Sequence, residues 1–199
     1  DAGAVTAELE LQDLNAVVGA AIASIEPLAR SKETDIQVHL PTKPVEAEFD
    51  AKRIERLLRN LLSNAVEHGE GHPIDVTVSG DGEAVAVTVR DHGVGLADDD
   101  IAHVFDRFWR ADPARARTTG GTGLGLSIAL EDTRLHAGWL EAWGSPGEGA
   151  CFRLTLPCRA DVTLERSPLP LVPGDPGDKV EEPADAEEMA DSDAAEARA

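Results

Sequence analysis

The sequence of 199 residues has no tyrosine, one methionine, two cysteines and only 4% aromatic residues. Positive charge is scarce as well: 18 Lys and Arg face 38 Asp and Glu, a formal net charge of -20. An acidic surface repels the phosphates of nucleic acids and of anionic lipids, which excludes non-specific binding to either. No apolar run approaches the ~20 residues that span a bilayer; residues 16–25 come nearest, at half that length. The mixed start around Asp1 lacks the basic-then-apolar pattern of a cleavable signal. Two cysteines cannot make a disulfide scaffold. Cys151 and Cys158 fall on one strand and its exit, so an extended chain separates them by roughly 23 Å, against about 7 Å at most for a bridge. Both are expected to be free thiols in a reducing compartment.

Several motifs are missing too. There is no G-x-x-x-x-G-K-[ST], no H-E-x-x-H, no Cys/His metal spacing and no G-x-S-x-G. The dinucleotide fingerprint needs a third glycine three residues after a G-x-G pair. Leu126 holds that place after Gly121-Thr122-Gly123, and Asp98 holds it after Gly93-Val94-Gly95. P-loop, zinc-hydrolase, serine-hydrolase and Rossmann chemistry are therefore excluded.

The hydrophobic fraction is an ordinary 42%, enough for one domain with a core. The acidity concentrates at the end: residues 161–199 hold twelve acidic side chains, against Arg166, Lys179 and Arg198, and five prolines. Such a segment buries too little to offset its ordering entropy and is expected to be a disordered tail. Before it, the pattern alternates. Asp13 caps a helix to about Ser31, with Leu14, Val17, Val18, Ala21, Ile22 and Ile25 on one face. Short strands follow over residues 36–40 and 45–49. Asp50 opens a second helix to about His68, stopped by Gly69 and Gly71. Residues 74–79 and 85–90 form a hairpin around Gly80-Asp81-Gly82. A third helix runs from near Leu124 to Gly138, and residues 139–143 and 150–156 form a second hairpin. Hairpins mixed with segregated helices imply an α+β two-layer sandwich, a mixed and mostly antiparallel sheet covered on one face by helices. The expected division is a linker over 1–12, a domain over 13–160 and the tail over 161–199.

Four clusters carry chemistry. On the second helix Asn60 and Asn64 lie one turn apart, opposite the apolar stripe and flanked by Arg56 and Glu67. Their carboxamide oxygens suit a hard cation such as Mg²⁺, although polar residues on a helix face are more often merely solvated. Asp91-His92-Gly93-Val94-Gly95 follows a strand directly. A carboxylate there can accept from an exocyclic amino group such as that of adenine, and the glycines let a flat ligand approach the backbone. Gly121-Thr122-Gly123-Leu124-Gly125 leads into the third helix, whose N-terminus with its free N–H groups suits phosphate. Between these lies Phe105-Asp106-Arg107-Phe108-Trp109-Arg110, then Arg115 and Arg117. Four Arg in eleven residues of an acidic chain make a local positive field, on a segment able to act as a lid.

Each cluster alone is ordinary; in this order they resemble the ATP-binding domain of bacterial sensor histidine kinases. That domain belongs to the superfamily shared with gyrase, the heat-shock chaperone ATPases and mismatch-repair ATPases, with the Bergerat fold. The matching boxes are Asn60-Leu61-Leu62-Ser63-Asn64-Ala65, Asp91-x-Gly93-x-Gly95, Phe105-x-Arg107-Phe108 and Gly121-Thr122-Gly123-Leu124-Gly125-Leu126. Residues 105–144 are similar to an actinobacterial branch of these kinases. The resemblance implies ATP and Mg²⁺ as ligands. Asn64 would coordinate the metal, with Asn60 beside the phosphates. Asp91 would read the adenine amino group, and Gly93 and Gly95 would make room for the base. Gly121, Thr122, Gly123, Leu124 and Gly125 would wrap the phosphates, and Arg107 would contact them. Two departures stand out: Glu67 where many relatives have Lys, and His68 where an aromatic often stacks on the nucleotide.

In gyrase-like ATPases a Glu one turn before the metal Asn activates water; here that residue is Asn60, which is no base. Phosphoryl transfer to a protein nucleophile is thus expected rather than rapid hydrolysis. The family's acceptor is a His followed by an acidic residue and Leu-Arg-x-Pro; none of His39, His68, His72, His92, His103 and His136 has that sequel. The resemblance places the acceptor on an upstream dimerisation domain missing from this chain, with a response regulator as the next partner. The expected setting is the cytoplasmic face of a cell-membrane sensor, without membrane contact by this segment. A nucleotide-binding module that no longer catalyses, and a serine kinase of the anti-sigma type on the same fold, are the alternatives.

Overall fold

The computed structural model describes residues 6–110 and 123–172. Among the described residues, seven strands and four helices follow in the order β1 (Glu10–Asp13), α1 (Leu14–Ser31), β2 (Ile36–His39), β3 (Glu46–Phe49), α2 (Ala51–His68), β4 (Ile74–Gly80), β5 (Ala84–Arg90), α3 (Asp98–His103), α4 (Gly125–Leu135), β6 (Trp139–Ser145) and β7 (Gly149–Pro157). Five strands make one sheet in the order β2-β4-β5-β7-β6. Only β2 and β4 run parallel, Ile36 opposite Ile74; every other pair is antiparallel. The expected mixed, mostly antiparallel sheet is therefore present.

Two carboxylates start the two long helices. Asp13 Oδ1 accepts from the Asn15 N–H at 3.0 Å, capping α1, and from the Val45 N–H at 3.1 Å, which ties in the start of β3. Asp50 caps α2 through the Arg53 N–H at 3.2 Å. Burial acts to raise the Asp50 carboxyl, but the N–H groups of Arg53 and Glu8 and the charge of Arg53 together hold it below the ordinary Asp value. At the other end of α2 the glycine stop differs in detail from the expectation. Gly69 keeps a right-handed conformation, and the chain leaves the helix through Glu70 (φ 53°) and Gly71 (φ 80°).

Leu14, Val17, Val18 and Ala21 of α1, with Ile54, Leu57, Leu58, Leu61, Leu62, Ala65 and Val66 of α2, pack on one face of the sheet. Ile74, Val76, Val78, Val85, Val87, Val89, Leu154 and Leu156 supply the sheet side of that core. The alternation of β4, buried at Ile74, Val76 and Val78 and half-buried between, is the signature of a sheet with one dry face.

Three elements depart from the sequence reading. Residues 10–12, assigned to a linker, form β1, which pairs antiparallel with β3, Glu10 opposite Phe49. The stretch after Asp91 contains the short helix α3, begun by Asp98, Asp99 and Asp100 where acidic charge complements the helix N-terminus. Residues 161–172, assigned to the disordered tail, form a strap across the second face of the sheet. Leu164 and Leu169 are buried there. Ser167 and Thr155 share a hydroxyl hydrogen bond at 2.9 Å, Arg153 Nη1 donates to the Leu169 carbonyl, and Arg166 pairs with Asp81 at 3.1 Å. This strap explains why Ala84, Ala86 and Thr88, on the face of β5 opposite the helices, are buried too. Residues 173–199, the remainder of the expected tail, lie outside the described residues.

Candidate nucleotide site

Three elements converge beside α2. At its C-terminal end, Asp91 leaves β5 and is 3% exposed. The Asp91 Oδ1 accepts from the Gly93 N–H at 3.0 Å, and the Asp91 N–H donates to the Ala150 carbonyl at 2.9 Å. Burial pushes the Asp91 carboxyl above the ordinary Asp value, against a downward pull from the N–H groups of Gly93 and Ala150 and from nearby His68 and His92. A buried acid kept on these terms in a strand-end turn is a candidate for function rather than stability.

The two glycines of this turn do something other than expected. A methyl group on Gly93 would overlap the His68 carbonyl oxygen, and one on Gly95 (φ +74°) would overlap the Ser145 carbonyl oxygen. The absent side chains thus make room for protein backbone. Gly93 lets the turn press against the end of α2, where the Val94 N–H donates to His68 O at 3.3 Å; Gly95 lets it seat on the β6–β7 hairpin, where Gly147 N–H donates to Val94 O at 2.9 Å. The acid is held at its depth by this double seating.

Near the middle of α2, Asn60 Nδ2 donates to the Gly125 carbonyl at 3.1 Å, the first residue of α4. Asn64, one turn on, is half-buried, and its side chain makes no hydrogen bond among the described residues. The chain enters α4 through Gly123 (φ +67°), whose carbonyl accepts from the Phe108 N–H at 2.9 Å. The lid segment is therefore anchored on the glycine box by its own backbone, and Phe105 adds an edge-to-face contact with Phe152 of β7, ring centres 6.2 Å apart. The structure brings Asn60, Gly123, Leu124 and Gly125 together on one side, and His68, Asp91, Gly93 and Gly95 on the other, joined by α2. Gly121 and Thr122, with Arg115 and Arg117, lie outside the described residues. Arg107 is exposed and its guanidinium pairs with Glu131 on α4. Glu67 instead borders a cavity of about 410 Å³ with Lys32, Glu33, Val66, Glu70 and Gly71. Three carboxylates around it suit no phosphate, and none of the expected ligand residues opens on it.

Sequence reasoning missed the contacts that hold α4 in place. Asp132, 2% exposed, receives Arg53 at 3.0 Å and a two-pronged grip from Arg56. His136 Nε2 accepts from the Asp50 N–H at 3.0 Å, so its Nδ1 carries the proton and donates to the Asp132 carbonyl at 2.6 Å. A signal was available: Arg53 precedes Asn60 by seven residues, as Gly125 precedes Asp132.

Known proteins resemble this chain, some in sequence and some in fold. The sensor histidine kinase MtrB of Mycolicibacterium paratuberculosis is 50% identical over 173 residues, which cover 87% of this chain and 31% of that protein. The catalytic domain of histidine kinase ThkA superposes with a TM-score of 0.68 at 25% identity, covering 77% of this chain and 97% of its own. Full-length ShkA in complex with AMPPNP gives a TM-score of 0.69 at 27% identity, over 82% of this chain and 33% of that one. The chain thus spans about a third of the length of the curated relatives it matches. Residues 49–160 match the model of one family, running from the α2 cap through the glycine box to the end of β7. The chain belongs to the histidine kinase-, DNA gyrase B- and HSP90-like ATPases.

Proposed function

We propose that this domain binds Mg-ATP between α2 and the N-terminus of α4 and presents the γ-phosphoryl group to a histidine on a separate dimerisation domain. The observation that carries the reading is the buried carboxylate of Asp91, without a Lys or Arg partner among the described residues, seated at the end of the helix that bears Asn60 and Asn64. The Gly93 N–H holds one oxygen of that carboxylate, and the carboxylate would also accept from the adenine amino group. A neutral donor meeting a desolvated acceptor gives a strong and selective contact. The solved complex of ShkA with AMPPNP supports a nucleotide ligand here.

The phosphates would lie at the start of α4, where the N–H groups of Gly123, Leu124 and Gly125 have no earlier turn to donate to. Gly121, Thr122 and Arg107 would complete the enclosure. Among the described residues no cluster of His, Cys, Asp or Glu could hold a metal by itself. That fits Mg²⁺, which is commonly held by one or two protein oxygens, substrate phosphates and water; the uncommitted carboxamide of Asn64 is the protein oxygen we assign. The ion would neutralise developing charge on the phosphoryl oxygens when bound.

Among the described residues, α2 brings a carboxamide and no general base to the start of α4. Asn60 cannot remove a proton from water, and its amide is already committed to Gly125. This favours transfer to an incoming nucleophile over hydrolysis, with catalysis resting on position and charge neutralisation. The partner domain, a response regulator and a membrane-bound parent complete the reading; no helix among the described residues is long and apolar enough to cross a membrane. Incubation with labelled ATP tests it. We expect no label on this chain alone and acid-labile label on an added acceptor domain. Label on this chain alone, or an acid-stable product, would refute it.

A further inference from the structure

Helix α4 buries few apolar side chains completely. Of its fully buried residues Ala129 alone is apolar; the others are Ser127, Asp132 and Thr133. Leu126 and Leu130 pack half-buried against the core, but hydrophobic contact is non-directional and does not by itself fix the register of a helix against its neighbour. Directional contacts must do so, and α2 supplies them from one stripe. At 100° per residue, Arg53, Arg56, Asn60 and Asn64 fall within an arc of about 80°. The two arginines grip the Asp132 carboxylate with four hydrogen bonds at 2.6–3.2 Å, and Asn60 holds Gly125. The intervals between the two contact points are seven residues on each helix, two turns or about 10.5 Å, and run in opposite directions. Two fixed points so far apart determine both the axial position and the rotation of α4.

We propose that Asp132 is a positioning residue for the phosphate end of the site. Clamped by Arg53 and Arg56, it sets α4 in register on α2 and so places the Gly123–Gly125 amides where phosphate oxygens arrive. Asp132 touches no ligand itself. The base end does not depend on it, because Asp91 is seated by the ends of α2 and the β6–β7 hairpin. The inference rests on the nucleotide reading above and predicts a split within it: loosening the clamp weakens what the phosphates contribute and spares what the base contributes.

The test is calorimetric titration of the full chain and two variants with Mg-ATP and, separately, with adenosine. Asp132→Asn removes the charge. Arg56→Lys, at a half-exposed position, keeps the charge and loses the two-pronged grip. Both should bind Mg-ATP roughly tenfold more weakly, the loss of one charge-assisted contact, and adenosine within about twofold of the native chain. Amide resonances of Gly123 and Gly125 should shift in both variants while those of Asp91 and Gly93 stay in place. Equal weakening toward both ligands would mark a general loss of stability and overturn the proposal, as would unchanged ATP binding. If Asp132→Asn loses its cooperative thermal transition, Arg56→Lys alone decides. A native chain that binds neither ligand would remove the site, and this inference with it.

Discussion

The two ends of the candidate site are built from different materials. Around Asp91 the contacts are backbone to backbone: Val94 to His68, Gly147 to Val94, Asp91 to Ala150. Along α4 side chains carry most of the contacts, Asn60 to Gly125, Arg53 and Arg56 to Asp132, Arg107 to Glu131, beside one backbone bond from Phe108 to Gly123. Backbone seating leaves no slack, because an amide cannot change rotamer. Side-chain pins can lengthen, swap partners or let go. On the proposed reading, the base end is the fixed reference of the molecule, and the phosphate end is the part that would adjust as a triphosphate enters and a diphosphate leaves.

The sharpest way to break this contrast is to put the same methyl group at both ends. Gly93→Ala forces the turn away from the His68 carbonyl and should cost on the order of 3 kcal/mol in urea unfolding; a loss below about 1 kcal/mol would show that the seating can relax. Asp91→Asn should come next. It removes an acceptor charge and should weaken adenosine and ATP alike by about 1–3 kcal/mol, yet raise the melting temperature of the ligand-free chain. The sign follows from the raised carboxyl. A folded value above the unfolded one means that the folded chain binds the proton more tightly. The penalty of the charge is absent below the unfolded value and grows as pH rises through the folded one, so it is present at neutral pH. By the same logic adenosine affinity should fall on acidification at a higher pH than for an ordinary Asp, about 3.9. A variant with an unchanged or lowered melting temperature would contradict the burial argument.

Gly125→Ala is the counterpart at the other end. A methyl group there meets only the Asn60 side chain, at 3.6–3.8 Å, ordinary contact, so thermal stability should stay within about 1 kcal/mol of the native chain. A collapse comparable with that of Gly93→Ala would erase the distinction between the ends. Smallest of all is Arg107→Ala. Its ion pair with Glu131 is largely exposed, and such pairs contribute at most about 1 kcal/mol; melting should barely change, while ATP, and not adenosine, should bind less well.

Much of this was legible in the sequence, for identifiable reasons. Asp13 and Asp50 stand directly before apolar stripes of helical period, so the starts of α1 and α2 could be read to the residue. The hairpin of β4 and β5 announced itself through Gly80-Asp81-Gly82 between alternating runs. The site clusters were visible because glycine, acid and carboxamide occur at spacings that plain structure does not need. What escaped were features whose partner is distant in the chain. β1 has four residues and exists only through β3. The clamp on Asp132 joins residues 76 and 79 positions apart, and nothing in either helix alone distinguishes it from solvated charge. Gly93 and Gly95 were noticed for the right reason, close approach, but local sequence could not tell that the approaching group is the protein's own carbonyl.

The strap over residues 161–172 carries a practical consequence. By composition that stretch invites removal, and a trimmed chain ending at residue 160 would keep every residue of the candidate site. It would also uncover a strip of small side chains along β5 and β7, including Ala86 and Thr155, and strip Arg153 of its carbonyl acceptor. Such a bare sheet face is adhesive toward its own copies, so clumping of the shortened protein would speak of a missing cover and say nothing about its chemistry.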